Sequence, residues 1–205
     1  NIIDPGTGEV WRDRSPHHPD VKDVKITHVA RPNTEGSLLK DMCRHTGERR
    51  YCDLFLEVSR AKVARQHESG FWMEFEPNEP REGRVHPRFN VWYAEALLEA
   101  YELDPDPRFL HAALRTARGM SRLQRRDGSI FYDNFIDGRA RESSPTGSAV
   151  AFAGLLWLRL HRMGASTEFL PNIERSAEWL LANRFADTHA DTNLRGGFFE
   201  VRLRT

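Results

Sequence analysis

From residue 34 onward the chain alternates two kinds of apolar segment. One kind is one-sided: over 108–124, Phe109, Ala112, Ala113, Ala117, Met120 and Leu123 share a helical face, while Arg115, Arg118, Arg122 and Arg125 fall largely off it. The other kind is apolar all round, as in 149–158, which reads Ala-Val-Ala-Phe-Ala-Gly-Leu-Leu-Trp-Leu and predicts a helix enclosed by others. Trp157 is therefore expected in the interior and Arg118 at the surface.

The alternation repeats. Tyr51, Phe109 and Phe169 lie 58 and 60 positions apart, each after a short polar turn, and the pairs Leu38-Leu39, Leu97-Leu98 and Leu155-Leu156 recur at 59 and 58. Downstream, Gly70-Phe71-Trp72 returns as Gly128-Ser129-Ile130 and again as Gly197-Phe198-Phe199. The unit is helix A, short turn, helix B and a longer loop. Asp106 before Pro107 and Ser144 before Pro145 each pair a capping side chain with a proline suited to a first helical position. The expected fold is all-α, three antiparallel helical hairpins with an inner row of helices backed by an outer one. Units span about 34–90, 91–147 and 148–205, and residues 1–33 form an extended leader. The B-to-A connections at 69–90, at 129–147 and from 184 onward are longer than the ~2–8 residues usual between helices. They emerge at one end of the layer, where long loops on a rigid scaffold carry function. The second alternates like a short β-hairpin with Asp137-Gly138 at its tip.

Composition narrows the function. Of 205 residues, 30 are basic and 30 acidic, with a pI near 7.3 and a mean hydropathy of −0.64. No net field exists to hold a polyanion, so neither nucleic acid nor a charged membrane surface is an expected partner. The ten apolar residues of 149–158 fall short of the ~20 a membrane span needs, and no signal peptide is visible; a soluble protein is expected, its compartment open. A start at Asn1 suggests a processed or truncated chain. Cys43 and Cys52 flank the Gly47-Glu48 turn and are read as two separately buried thiols, with a disulfide across the hairpin as the alternative.

Two stretches carry a resemblance: Arg50-Tyr51 to Gln66-x-x-x-Gly70-Phe71-Trp72, and Arg108-Phe109 to Gln124-x-x-x-Gly128-Ser129-Ile130-Phe131. A helix opening near an Arg-aromatic pair and ending in glutamine, then glycine and aromatics, resembles the α/α toroid superfamily, especially its six-hairpin glycosidase group. The resemblance covers about 34–200. It implies a partial or complete toroid whose inner-helix ends and loops form a funnel for sugar chains, as in glycoside hydrolases, unsaturated glucuronyl hydrolases, polysaccharide lyases and sugar epimerases. Terpenoid cyclases share the toroid and a glutamine-to-tryptophan repeat, but their acidic initiating cluster is missing; Asp104-Pro-Asp-Pro107 reads as a helix cap.

The loop residues fit an acidic glycan. Trp72 and Trp92 offer flat faces for sugars, and Arg88 and Arg139 offer forks for uronate carboxylates. A hydrolase needs two carboxyl groups about the glycosidic bond, for which Glu76 and Asp133 are the nominal pair. A lyase or epimerase needs a base and a neutralised carboxylate, roles His86, Tyr132 and Arg88 could fill. Two readings compete: a solvated charged loop whose Trp72 and Trp92 cap the core, and a non-catalytic helical-repeat module that binds glycan or protein through the same loop face. His17-His18 with Asp20, and His189 with Asp191, lack a recognisable metal spacing; no phosphate loop, dinucleotide fingerprint or nucleophile elbow appears, so neither metal nor cofactor is expected. The partner expected is a carbohydrate, met by the loops at 70–90 and 129–147 and not by the turns at 46–49, 103–107 and 163–167.

Overall fold

The computed structural model describes residues 38–74, 78–139 and 144–200; the leader expected over 1–33 and the catalytic candidate Glu76 lie outside them. Six α-helices form three antiparallel hairpins: α1 (Leu38–Thr46) with α2 (Arg49–Ala64), α3 (Pro87–Leu103) with α4 (Pro107–Leu123), and α5 (Gly147–Arg162) with α6 (Leu170–Ala182). The A helices α1, α3 and α5 make the inner row, and α2, α4 and α6 back them. Packing of α3 on α5 and of α2 on both α3 and α4 joins the hairpins into one layer.

The capping expectation holds at α4, where the Asp106 side chain accepts from the Arg108 N–H and Pro107 opens the helix. At α5 it is corrected. Residues 144–146 are extended, since Tyr132 N–H donates to Ser144 O (3.2 Å) and Thr146 N–H to Ile130 O (3.0 Å). With those backbone groups engaged, the helix begins at Gly147 with Thr146 as its N-cap.

Gln66 and Gln124 tie the outer row together. Gln66 Nε2 donates to Gly70 O (2.9 Å), to Ala112 O (2.9 Å) and to Thr116 Oγ1 (3.0 Å) of α4. One unit later Gln124 Nε2 donates to Gly128 O (3.4 Å), Asn172 O (3.1 Å) and Ser176 Oγ (2.9 Å) of α6. Each glutamine thus fixes its own loop and reaches forward to the next hairpin. Gly70 (φ +90°) and Gly128 (φ +88°) are required there: a Cβ would strike the carbonyl oxygen of Arg115 or of Arg175 on the following outer helix.

Trp157 is fully buried, its indole N–H donating to Ala117 O at 3.0 Å, and Arg118 is exposed, paired with Glu168. The enclosure expected of α5 stops at one side, where Leu155 is 54% exposed. Cys43 and Cys52 are joined in a disulfide, not separately buried: the two-residue turn between antiparallel helices brings their Cα atoms to 5.4 Å, inside the bridging range.

Candidate functional site

The two long loops meet in a two-stranded antiparallel sheet, β1 (Arg84–Val85) with β2 (Asn134–Phe135), in the register Arg84↔Phe135 and Val85↔Asn134. The tight turn at Asp137-Gly138 forms, with Gly138 at φ +81°, but the strand partner comes from the other loop. Two buried asparagines seat the first loop on α3. Asn78 Oδ1 accepts from His86 N–H (2.7 Å) and from Asn90 Nδ2 (3.1 Å), while Asn90 Oδ1 accepts from Trp72 N–H (2.8 Å). Neither asparagine stood out in the sequence, where each is one polar residue among many.

This framework delivers His86 to the N-cap position of α3, only 4% exposed. Phe89 (4.6 Å between centroids) and Tyr132 (4.5 Å) pack edge-on against its ring, and neither ring nitrogen has a hydrogen-bond partner among the described residues. Burial, then the Arg88 and Arg84 charges, lower its pKa to about 4, against a backbone hydrogen bond that acts the other way. The imidazole is neutral at physiological pH. Tyr132 is 41% exposed, and Asp133 Oδ1 stands 3.5 Å from Arg84 Nη1.

Below His86, α3 carries Arg88, Trp92, Glu95, Glu99 and Glu102 at steps of four and three residues, a single helical face. The matching face of α5 carries Ser148, Phe152, Leu155 and Arg159. The two faces meet: Arg88 Nη1 donates to Ser148 Oγ (3.3 Å), Trp92 meets Phe152 edge-on (5.7 Å), and Arg159 pairs with Glu102 (2.7 Å) and Glu99 (3.8 Å). From α1, the buried Lys40 completes an ionic floor with Glu99 and Glu102, each at 3.6 Å. Glu95 lies between Trp92 and this floor. Burial raises its pKa to about 7, with Arg159 opposing and Glu99 reinforcing the shift. A carboxyl that keeps its proton near neutrality can serve as a general acid. Glu95 escaped the sequence reading because its surroundings come from α5, about 60 residues away.

His86, Arg88, Trp92 and Tyr132 are thus gathered at the loop end of the inner helices. Arg88 lies over the Trp92 ring at 5.3 Å, and Trp92 itself is 7% exposed. Trp72 is corrected: it is fully buried, its indole N–H donates to Lys62 O (2.8 Å), and its ring packs on Tyr93, so it is core and offers no face to a sugar. Arg139 is exposed at the loop tip, where it pairs with Asp137 and covers Phe135. Among the described residues no group of three or more His, Cys, Asp or Glu could hold a metal ion, and no helix is long and apolar enough to cross a membrane. His189 and Asp191 close a local turn, Asp191 N–H donating to His189 Nδ1 at 3.1 Å.

The sequence matches no protein-family model and no curated protein. The structure is similar to crystal structures of unsaturated glucuronyl hydrolases. One, from Bacillus sp. GL1 and described as responsible for the degradation of glycosaminoglycan, is 19% identical with a TM-score of 0.59 over 73% of this chain and 44% of that one. A second, described as specific for heparin, is 18% identical with a TM-score of 0.62 over 82% and 49%. A third, from Streptococcus agalactiae, is 14% identical with a TM-score of 0.56 over 70% and 40%. The chain spans less than half the length of these proteins. The likeness shows the fold: three helical hairpins of a partial α/α toroid, like part of the six-hairpin glycosidase-like fold of those proteins.

Proposed function

We propose that the protein is a carbohydrate-active enzyme acting on uronic-acid-containing poly- or oligosaccharides, with hydrolysis of a uronyl glycoside as its reaction. The observation that carries this reading is the face of α3. Arg88, a group suited to a uronate carboxylate, Trp92, a buried ring that supports the Arg88 guanidinium, and Glu95, a carboxyl that holds its proton near neutral pH, follow one another along about 10 Å of helix. Arg88 would fix the sugar by its carboxylate, and Glu95 would protonate the departing oxygen. Asp133 is the candidate base to activate water, and Tyr132 and Arg139 would meet the chain at the loop rim. The similarity to glucuronyl hydrolases supports the substrate class.

A second reading rests on the contact between His86 and Tyr132. A neutral imidazole beside a phenol, with the Arg88 charge acting on the imidazole, suits removal of the proton adjacent to a uronate carboxylate, the step shared by lyases and epimerases.

Both readings are tested by incubating the full-length protein with a panel of uronic-acid polysaccharides and with unsaturated uronyl disaccharides, following reducing ends and ultraviolet absorbance. New reducing ends with loss of absorbance from the disaccharides are expected for the hydrolase. A rise in absorbance would mark a lyase, and deuterium uptake from solvent without cleavage an epimerase. Binding with silence in every channel would make the protein a non-catalytic glycan module and end the enzyme reading.

A further inference from the structure

The segment after α6 folds back over the loop end of the inner row. Phe185 N–H donates to Gly197 O (2.8 Å), Gly196 N–H donates to Phe185 O (3.2 Å), and the Phe185 and Phe199 rings pack with centroids 4.1 Å apart, tilted by 36°. The strap then lands on α5: Gly147 N–H donates to Glu200 O (2.9 Å), and Gly147 has no room for a Cβ because the carbonyl oxygen of Phe199 lies against it. This contact sets the Glu200 carboxylate among three anion-stabilising groups. Its Oε1 accepts from Arg88 Nη1 (3.0 Å) and from Ser148 Oγ (2.7 Å), and Ser148 is in the first turn of α5, where the helix dipole favours negative charge. A carboxylate from residue 200 is therefore held by an arginine of the second hairpin and a serine of the third.

The contact leaves Arg88 half used. Only Nη1 meets Glu200, and the buried Nε has no partner among the described residues. A guanidinium with Nη1 engaged and Nε idle, beside an aromatic ring, is equipped for a second, better-fitting carboxylate. We propose that Arg88, Ser148 and the N-terminus of α5 form a carboxylate subsite, occupied by Glu200 as an internal ligand and taken over by the uronate carboxylate of the substrate. This rests on the uronate reading above and adds to it a competitor: the strap ending at Glu200 holds the subsite closed, and a glycan opens it. The Glu200 side chain is 54% exposed, so its hold is weak enough to be displaced.

The test compares the full-length protein with its Glu200→Gln and Arg88→Ala variants, titrating free glucuronate, an unsaturated uronyl disaccharide and glucose by calorimetry. Glu200→Gln should bind both uronates about fivefold more tightly and leave glucose unchanged, while Arg88→Ala should lose uronate binding at least about tenfold. A wild-type protein that binds uronate while Glu200→Gln binds it equally or less well would overturn the competition and leave the uronate reading standing. Failure of every protein to bind either uronate would remove the reading and the proposal together. A measurement on unaltered protein guards against a misfolded variant: saturating glucuronate should speed tryptic cleavage after Arg195 in the strap, and an unchanged rate with ligand bound would also refute displacement.

Discussion

His86 and Glu95 share α3 and respond to pH in opposite senses. His86 is held near 4 when folded, below its ordinary value, so as pH falls from about 6.5 to about 4 the unfolded chain takes up a proton that the folded chain refuses. Stability from this group is complete above that window and is lost on acidification. Glu95 is held near 7, above its ordinary value, so its contribution is complete below about 4.5 and is lost as pH rises toward 7. Each is worth roughly 1–3 kcal/mol, and the two partly cancel in the wild-type profile. Single substitutions should separate them. Glu95→Gln should raise Tm by about 3–6 °C at about pH 8 and leave it unchanged near pH 4.5, and His86→Phe should flatten the acid limb. A pH-independent shift in either variant would show that the titration is misassigned. At this scale the sequence displayed the right residue types without their surroundings. Trp72, in the loop after α2, and Trp92, in the second turn of α3, looked alike as loop-end aromatics, yet one found a carbonyl in the core and the other packs on the inner face beneath Arg88. Glu95 looked like any solvated helical glutamate.

Among the elements, the joints between hairpins are the most specific. Gln66 and Gly70 belong to one device: the side chain can bond the next outer helix only because the glycine backbone comes flush against it. Gln66→Ala should cost about 1–3 kcal/mol, since it leaves the Gly70 and Ala112 carbonyls one donor short. Gly70→Ala should cost more, roughly 3 kcal/mol or above, because a strained φ and a backbone collision add. Gly47→Ala is the control. It has a similar φ of +72° but open space about it, and should cost only about 1 kcal/mol. Denaturant midpoints of the three variants decide this, and equal losses at Gly47 and Gly70 would mean that the joint contributes nothing. The Gln-x-x-x-Gly spacing was plain in the sequence as a recurring motif. Its purpose was not, because the acceptors on α4 and α6 lie 46 to 52 residues further on. The cysteines were legible in the same partial way: the spacing about the turn was visible, but bonding depended on how close the two helices pack.

For the molecule as a whole, the antiparallel hairpins separate two ends by about 25 Å, the length of a 16-residue helix. The loop end gathers His86, Arg88 and Tyr132, and the turn end holds caps and surface ion pairs such as Arg50 with Glu48. Arg88→Ala and Tyr132→Ala should each lower kcat/KM on a uronate substrate about 10- to 100-fold and move Tm by less than about 4 °C. Arg49→Ala and Glu168→Ala should leave turnover intact. Loss of activity in the second pair alone would invert the polarity assigned to the scaffold. The architecture was the most legible level, because repeat spacing, two helix types and the Asp106 cap agreed with one another. The loops were the least. Their pairing across β1 and β2, and the return of Glu200 onto Arg88, join residues from different units, and no spacing within one unit encodes them.

The glutamine joints also have a direction. Each is completed by acceptors on the hairpin that follows, so during synthesis Gln66 has only its own loop to hold until α4 has left the ribosome, and Gln124 must wait for α6 in the same way. Assembly should therefore proceed with a lag of one unit, each hairpin becoming protease-resistant only after its successor emerges. Nascent chains stalled with α4 exposed and α6 still in the exit tunnel should protect α1 and α2 while leaving the Gln124 region open to cleavage. Simultaneous protection of both hairpins at that length would show that the joints follow assembly instead of ordering it.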